Sequence, residues 1–269
     1  MHDIVALSLP CYGTTARTMG NAQRLCTRLG CDFREIDIKE ACDLHLRDIG
    51  HCGEPEGAAY ENTQARERTQ LLFDLSNHEG ALAVGTGDLS EMALGWCTYG
   101  GDQMAMYNVN AGVPKTLVRY LIEWISGQED MAEVKEILKD ILETPVSPEL
   151  LPPDRTGSIA QKTEEIIGPY ELHDFFLYHT IRYGAPPRKV IFLARTAFGD
   201  RYASGEIARW ARLFYRRFFA SQFKRSCTPD GPKIGSISLS PRTDWRMPSD
   251  ACPDLWLDPG EFEDSGNGC

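Results

Sequence analysis

Ala81-Leu82-Ala83-Val84 runs without a polar interruption into Gly85-Thr86-Gly87-Asp88, and a helical pattern opens directly after it at Leu89. This junction constrains the fold more than any other stretch. A short apolar run bounded by turn residues reads as a buried strand. Glycines followed by Leu89-Ser90-Glu91-Met92 read as a sharp turn into a helix. The same succession occurs upstream. Ile4–Leu9 is apolar and closed by Pro10; Cys11 to Thr15 is turn-like; Thr18 to Leu29 is a helix stopped by Gly30; and Asp32–Ile38 alternates as a second strand. A helix follows around Ala41–Asp48, then a loop over His51–Ala58 carrying Gly53, Pro55 and Gly57. From Tyr60 to about His78 the pattern is helical again, with Leu71, Leu72 and Leu75 on one face and Gly80 at its end. Strands alternating with helices predict an α/β doubly wound parallel sheet with helices on both faces.

The second half reads as helical. Leu117, Leu121 and Ile125 recur at helical spacing in Pro114–Ile125, as do Val134, Ile137, Leu138 and Ile141 in Met131–Leu142. The proline-rich stretch Thr144 to Pro153 reads as a linker or ordered loop. Ile207, Trp210, Phe214 and Phe218 form one stripe of a long helix from about Ser204 to Lys224, which is core packing rather than a cofactor box. After Cys227 the chain turns to Pro and Gly with little periodicity. The expected organisation is therefore one domain over residues 1–227 and an irregular surface tail packed on it over 228–269.

The chain of 269 residues is long enough for one large domain with a sizeable core. Its formal net charge of -11 argues against broad binding to nucleic acid or to an anionic membrane. No apolar run reaches the length of a membrane span, and Met1-His2-Asp3-Ile4 carries no basic region of a signal peptide. The nine cysteines are odd in number, with no Cys-x-x-Cys spacing, which predicts free thiols in a reducing cytoplasm.

Two segments carry candidate chemistry. In open α/β sheets ligands bind outside the carboxyl ends of strands, and helix N-termini offer free N–H groups to anions. By that logic Thr86 is a candidate hydroxyl for a nucleotide and Glu91 a candidate magnesium ligand, a hard oxygen donor. Asp88 and Glu91 also have the spacing of a capping box, which explains both acids structurally. In Tyr60-Glu61-Asn62-Thr63-Gln64-Ala65-Arg66-Glu67-Arg68, Glu and Arg can pair along the helix, and Asn62 can recognise a polar ligand edge.

Taken with Pro10-Cys11-Tyr12-Gly13-Thr14-Thr15-Ala16-Arg17-Thr18, these two segments resemble successive signatures of NAD synthetases. Tyr107-Asn108-Val109-Asn110-Ala111-Gly112-Val113-Pro114-Lys115-Thr116 is similar to a fourth. Phe223-Lys224-Arg225-Ser226, Gly231-Pro232-Lys233 and Ser240-Pro241-Arg242-Thr243-Asp244-Trp245-Arg246 resemble the tail of the glutamine-dependent form. The resemblance is collinear over nearly the whole chain. It implies an adenine nucleotide alpha hydrolase-like, Rossmann-like fold and ATP-dependent amidation of deamido-NAD through an adenylated nicotinate, with ammonia from glutamine. It implies that Thr86, Lys115 and Arg17 contact ATP, and that Asn62, Glu91, Trp96 and Lys224 contact deamido-NAD. It further implies that Glu91 binds Mg2+ and that the full-length form is a homo-oligomer. Another ATP-pyrophosphatase ligase, such as a GMP or asparagine synthetase, shares the chemistry but leaves Trp96, Asn62 and the tail strings unexplained.

The family's Ser-Gly-Gly-x-Asp-Ser pyrophosphatase loop does not occur in this sequence, nor does the amidase-type glutaminase domain. Adenylation concentrates negative charge on the leaving pyrophosphate, where preorganised donors supply most of the rate. The expectation is a truncated chain with an exposed sheet edge and weak catalysis by itself. The alternative is a nucleotide-binding remnant that keeps the deamido-NAD pocket.

Overall fold

The computed structural model describes residues 3–52, 54–152, 162–258, 260 and 262. Gly53 of the expected loop, Pro153 of the expected linker, and Cys269 lie outside the described residues. The chain divides into two compact units, one of Met1–Ala83, Thr98–Asp102 and Leu117–Ile166, the other of Val84–Cys97, Gln103–Thr116 and Ile167–Cys269.

The first unit opens with β1 (Val5–Ser8), α1 (Ala16–Leu29) and β2 (Asp32–Glu35). β1 and β2 pair in parallel, Val5 opposite Asp32 and Ser8 opposite Glu35, and α1 is the crossover that parallel strands require. Thr15 caps α1 by accepting from the Thr18 N–H, and Gly30 ends it in the left-handed region at φ 70°. The pairing continues beyond β2, because the Ile36 and Ile38 N–H groups donate to Ser8 and Pro10 carbonyls. The expected burial of Ile4–Leu9 is corrected: β1 is half-buried and Ile4 is 49% exposed. The physical reason is that β1 has a strand partner on one edge only among the described residues.

α2 (Lys39–Asp48) and α3 (Ala58–Glu79) follow. The buried side of α3 carries Tyr60, Thr63, Gln64, Ala65 and Thr69, and Gln64 is held there because its amide donates to the Leu150 carbonyl at 2.8 Å. Leu71, Leu72 and Leu75 are only half-buried.

In the second unit β3 (Val84–Gly85), α4 (Leu89–Leu94) and β4 (Tyr107–Asn108) frame the glycine junction. β3 and β4 are parallel, with Val84 opposite Tyr107. The strand expected at Ala81–Val84 is thus corrected to two residues, and Leu82 and Val84 are exposed. Pairing extends only as far as its two-residue partner. The described residues form two separate two-stranded parallel sheets, an α/β architecture in which one doubly wound sheet is not seen.

α5 (Lys115–Ser126) carries the chain from the second unit into the first. The helix expected over Met131–Leu142 starts as a 3-10 turn, Glu129–Val134, and becomes α6 only at Lys135–Glu143. After α7 (Thr163–Ile167) come α8 (Tyr170–Tyr183), α9 (Pro187–Phe198), α10 (Ser204–Ala220) and the short α11 (Gln222–Arg225). Ile207, Phe214 and Phe218 are buried with Phe176, Leu177, Val190 and Leu94 in one core, and Trp210 packs at its margin, as the stripe predicts. Ile237, Leu239 and Phe262 enter the same core. The tail therefore contributes core side chains instead of lying only on the surface. No helix of the described residues is long and apolar enough to cross a membrane.

Candidate functional site at the start of α4

Gly85 ends β3 where a Cβ would come 2.8 Å from the Ala105 Cβ, so glycine permits the close approach of the segment that leads into β4. Thr86 follows with an exposed side chain. Asp88 then caps α4. Its Oδ1 accepts from the Ser90 and Glu91 N–H groups, each at 2.9 Å, and the Glu91 Oε2 accepts from the Asp88 N–H at 3.3 Å. The capping box is present, and it accounts for one oxygen of each acid.

The other oxygens face a cation. The Lys115 Nζ lies 2.5 Å from Asp88 Oδ2 and 2.7 Å from Glu91 Oε1. Burial works against the charge of Lys115, yet the neighbouring Glu91 and Asp88 carboxylates outweigh it and hold its pKa above the usual lysine range. Asp88 is only 2% exposed in its side chain, whereas Glu91 and Lys115 are each 22% exposed. The structural and chemical readings of Glu91 thus coexist in one residue.

The first two residues of α5 are tied to this cluster. The Lys115 N–H donates to Ser90 Oγ at 2.8 Å. The Thr116 N–H and hydroxyl donate to Asp174 Oδ2 at 3.1 and 2.6 Å, and the Ser90 hydroxyl donates to Asp174 Oδ1. Burial pushes the Asp174 carboxyl up, against the hydrogen bonds from Ser90 and Thr116 that pull it down. The sequence reading passes over Asp174, although an aspartate between His173 and Phe175 in an aromatic helix is a visible signal.

The far end of α4 is a platform for Trp96. Gly95 takes φ 57°, and a Cβ there would collide with the Ser221 side chain. Four carbonyls at a helix end need donors. Arg217 Nε donates to Leu94 at 2.9 Å, and Lys224 Nζ to Gly95 at 2.8 Å and Cys97 at 2.6 Å. Arg225 is fully buried and donates to Met92, Ala93 and Phe218 carbonyls; burial lowers its pKa to about 9. The Arg217 guanidinium stands 5.1 Å from the centre of the Trp96 ring.

Thr86, Glu91, Trp96, Lys115 and Lys224 all belong to the second unit, and among them Glu91 and Lys115 are in direct contact. Two sequence-predicted residues fall in the first unit. Asn62 accepts from the Thr98 hydroxyl at 2.8 Å. Arg17 is bound to Asp140, with Nη2 at 2.5 Å and Nε at 3.1 Å from Oδ1, and this exposed pair holds the Asp140 carboxyl below the usual range. Among the described residues no group of three or more His, Cys, Asp or Glu could hold a metal.

The NAD synthase family model matches residues 1–192. The chain is 45% identical over 285 residues to a glutamine-dependent NAD(+) synthetase of Mycobacterium leprae, covering 97% of this chain and 42% of that protein. It is 45% identical over 281 residues to the protein of the same description from Mycobacterium tuberculosis, covering 95% and 41%. The chain thus spans about two-fifths of the length of these curated relatives. Among solved structures, a glutamine-dependent NAD(+) synthetase from Cytophaga hutchinsonii superposes with a TM-score of 0.73 at 20% identity, covering 96% of this chain and 40% of that one. An NMN synthetase from Francisella tularensis does so with a TM-score of 0.59 at 20% identity, covering 86% and 79%. At these identities the structural likeness speaks for the fold.

Proposed function

Because the chain belongs to the NAD synthase family, we propose that it forms the ligase part of a glutamine-dependent NAD synthetase and acts on deamido-NAD and ATP. The doubly wound sheet belongs to this reading, supported by the parallel sense of both strand pairs. In the proposed reaction a nicotinate carboxylate oxygen attacks the α-phosphorus of ATP and pyrophosphate leaves. Ammonia, released from glutamine elsewhere, then attacks the acyl carbon, AMP departs, and a proton is lost.

The observation that carries this reading is the Lys115 ammonium held between Asp88 and Glu91. A flexible ammonium is a compact point charge, and it can turn from carboxylates to a phosphate without moving its backbone. Trp96 offers a flat ring for the nicotinate, braced by Arg217 and by the Lys224 contacts on either side of it. Lys224 spends two of its three N–H donors on those carbonyls, which leaves one for the dinucleotide. Magnesium is usually held by one or two carboxylates together with substrate phosphates rather than by a protein cage. The donor set fits that mode, with Glu91 as the protein's ligand. Bound there, the ion would neutralise charge building on the phosphates.

Thr86 completes the proposed contacts of the second unit; for the first unit, taken by itself, Arg17 is proposed to contact ATP and Asn62 deamido-NAD. For Arg17, the bond to Asp140 would have to open first. A homo-oligomer of the full-length form belongs to the proposal, supported by the exposed apolar side chains of α5. A cytoplasmic location suits the free thiols among the described residues.

Incubating the protein with deamido-NAD, ATP, magnesium and ammonium, and titrating deamido-NAD and ATP separately by calorimetry, tests the reading. NAD formation supports the ligase. Dinucleotide binding without ATP-dependent pyrophosphate release supports a remnant that has kept only the pocket. Absence of affinity for either nucleotide overturns both.

A further inference from the structure

We propose that Asp174 is a positioning residue, fixing the Lys115 ammonium beside Asp88 and Glu91 by clamping the first residues of α5 to the first turn of α4. This rests on the reading of Lys115 and Glu91 as nucleotide-binding residues and deepens it.

The first four N–H groups of a helix have no partner inside it. At the start of α5 two of these four are taken by side chains. The Lys115 N–H goes to Ser90 Oγ at 2.8 Å, and the Thr116 N–H goes to Asp174 Oδ2 at 3.1 Å. Ser90 is itself in the first turn of α4, and its hydroxyl is oriented by donating to Asp174 Oδ1. The Thr116 hydroxyl adds a third donor at 2.6 Å. All three groups that meet Asp174 are donors, which suits a carboxylate that can only accept. Asp174 reaches neither Lys115 Nζ nor Glu91 by any of these bonds. Its action on them passes through Ser90 and the α5 backbone, so the ammonium is aimed by where its own main chain is held.

Geometry and charge can be separated at this position. Asparagine has the shape of aspartate. Its amide oxygen can accept both Thr116 donors, and its NH2 can donate to Ser90 Oγ, reversing one bond while keeping three. Alanine keeps none. A residue that mattered only for global stability would lower the melting temperature and leave the local pattern of exchange intact.

The experiment compares the full chain with Asp174→Ala, Asp174→Asn and Ser90→Ala, measuring amide hydrogen exchange by NMR and ATP affinity by calorimetry. Asp174→Ala is expected to speed exchange at Lys115 and Thr116 roughly tenfold or more and to weaken ATP roughly tenfold, while Phe176 and Phe214 stay slow. Asp174→Asn is expected to stay within about threefold of the parent in both readings. Ser90→Ala frees the Lys115 N–H and removes the Ser90 bond to Asp174 while leaving both Thr116 bonds in place, and it reports on the clamp if Asp174→Ala fails to fold. Unchanged exchange at Lys115 and Thr116 in Asp174→Ala, unchanged exchange at Lys115 in Ser90→Ala, or Asp174→Asn behaving like Asp174→Ala, overturns the proposal. A parent chain without ATP affinity would sink the nucleotide reading, and the exchange data would still decide the role of Asp174.

Discussion

Lys115 Nζ sits 2.5 Å from Asp88 Oδ2 and 2.7 Å from Glu91 Oε1, so one ammonium neutralises the N-cap of α4 and its capping-box partner together. Removing it leaves the nearly buried Asp88 carboxylate uncompensated. Lys115→Met is expected to destabilise the protein by about 2 kcal/mol, below the figure for a fully buried pair because Glu91 and Lys115 retain some solvent. Lys115→Arg, which keeps the charge, should lose less than half of that. Urea unfolding at neutral pH measures both. A Lys115→Met midpoint equal to the parent's would mean the cluster is not coupled to stability.

His173, next to Asp174 on α8, gives the fold a defined acid sensitivity. Its Nε2–H donates to the Ile167 carbonyl at 2.6 Å, and its Nδ1 is buried without a hydrogen-bond partner. Burial holds its pKa at about 4, against about 6.5 in an unfolded chain. Between those values the unfolded state binds the extra proton, so stability rises with pH across the window and falls on acidification. From pH 7 to pH 5 this one group should remove about 2 kcal/mol. His173→Gln should flatten that part of the pH–stability curve, and a variant with the parent's slope would locate the acid sensitivity elsewhere.

Lys224 and Arg225 are adjacent in sequence and do different work. Arg225 is fully buried and satisfies carbonyls of Met92, Ala93 and Phe218. Arg225→Met is expected to lower stability by about 3 kcal/mol, since buried carbonyls lose charged donors. Lys224→Met removes a half-buried ammonium from Gly95 and Cys97. It should cost about 1 kcal/mol of stability. Its larger effect should be on deamido-NAD affinity. Thermal melts and calorimetry on the two variants separate scaffold from pocket, and equal stability losses would contradict the division.

Much of this was legible because local rules and tertiary contacts agree. Thr15 and Gly30 bound α1 as caps should, and the stripe of Ile207, Phe214 and Phe218 is buried. The Asp88–Glu91 spacing specifies a capping box and the structure contains one. What stayed hidden depends on long-range partners. Strand length at Val84 is set by Tyr107 and Asn108, which lie far along the chain and pair over only two residues. That Lys115 answers to both Asp88 and Glu91 follows from where α5 begins. That Lys224 points at the carbonyls around Trp96 follows from how α10 and α11 end. Asp174 was passed over because its donors, Ser90 and Thr116, are distant in sequence and adjacent only in the fold.

Among the described residues the helix α5 presents an apolar face that is left largely exposed. Leu117 is 37% exposed, Tyr120 68%, Leu121 42% and Trp124 65%, at the i, i+3, i+4, i+7 spacing of a single stripe. An exposed contiguous patch of this kind marks an interaction surface, and on the proposed reading its occupant is the same helix of a second copy. A two-fold axis would set each stripe against its equal and bury aromatic side chains on both sides. Sedimentation velocity on the full chain is expected to give a dimer. Trp124→Glu places a charge where the stripe would be dry, and should shift the population toward monomer by roughly a hundredfold in dissociation constant, corresponding to about 3 kcal/mol. The substituted position is exposed, so the monomer should melt as a folded protein. A parent chain that sediments as a monomer at every concentration would remove the second copy as the partner of α5.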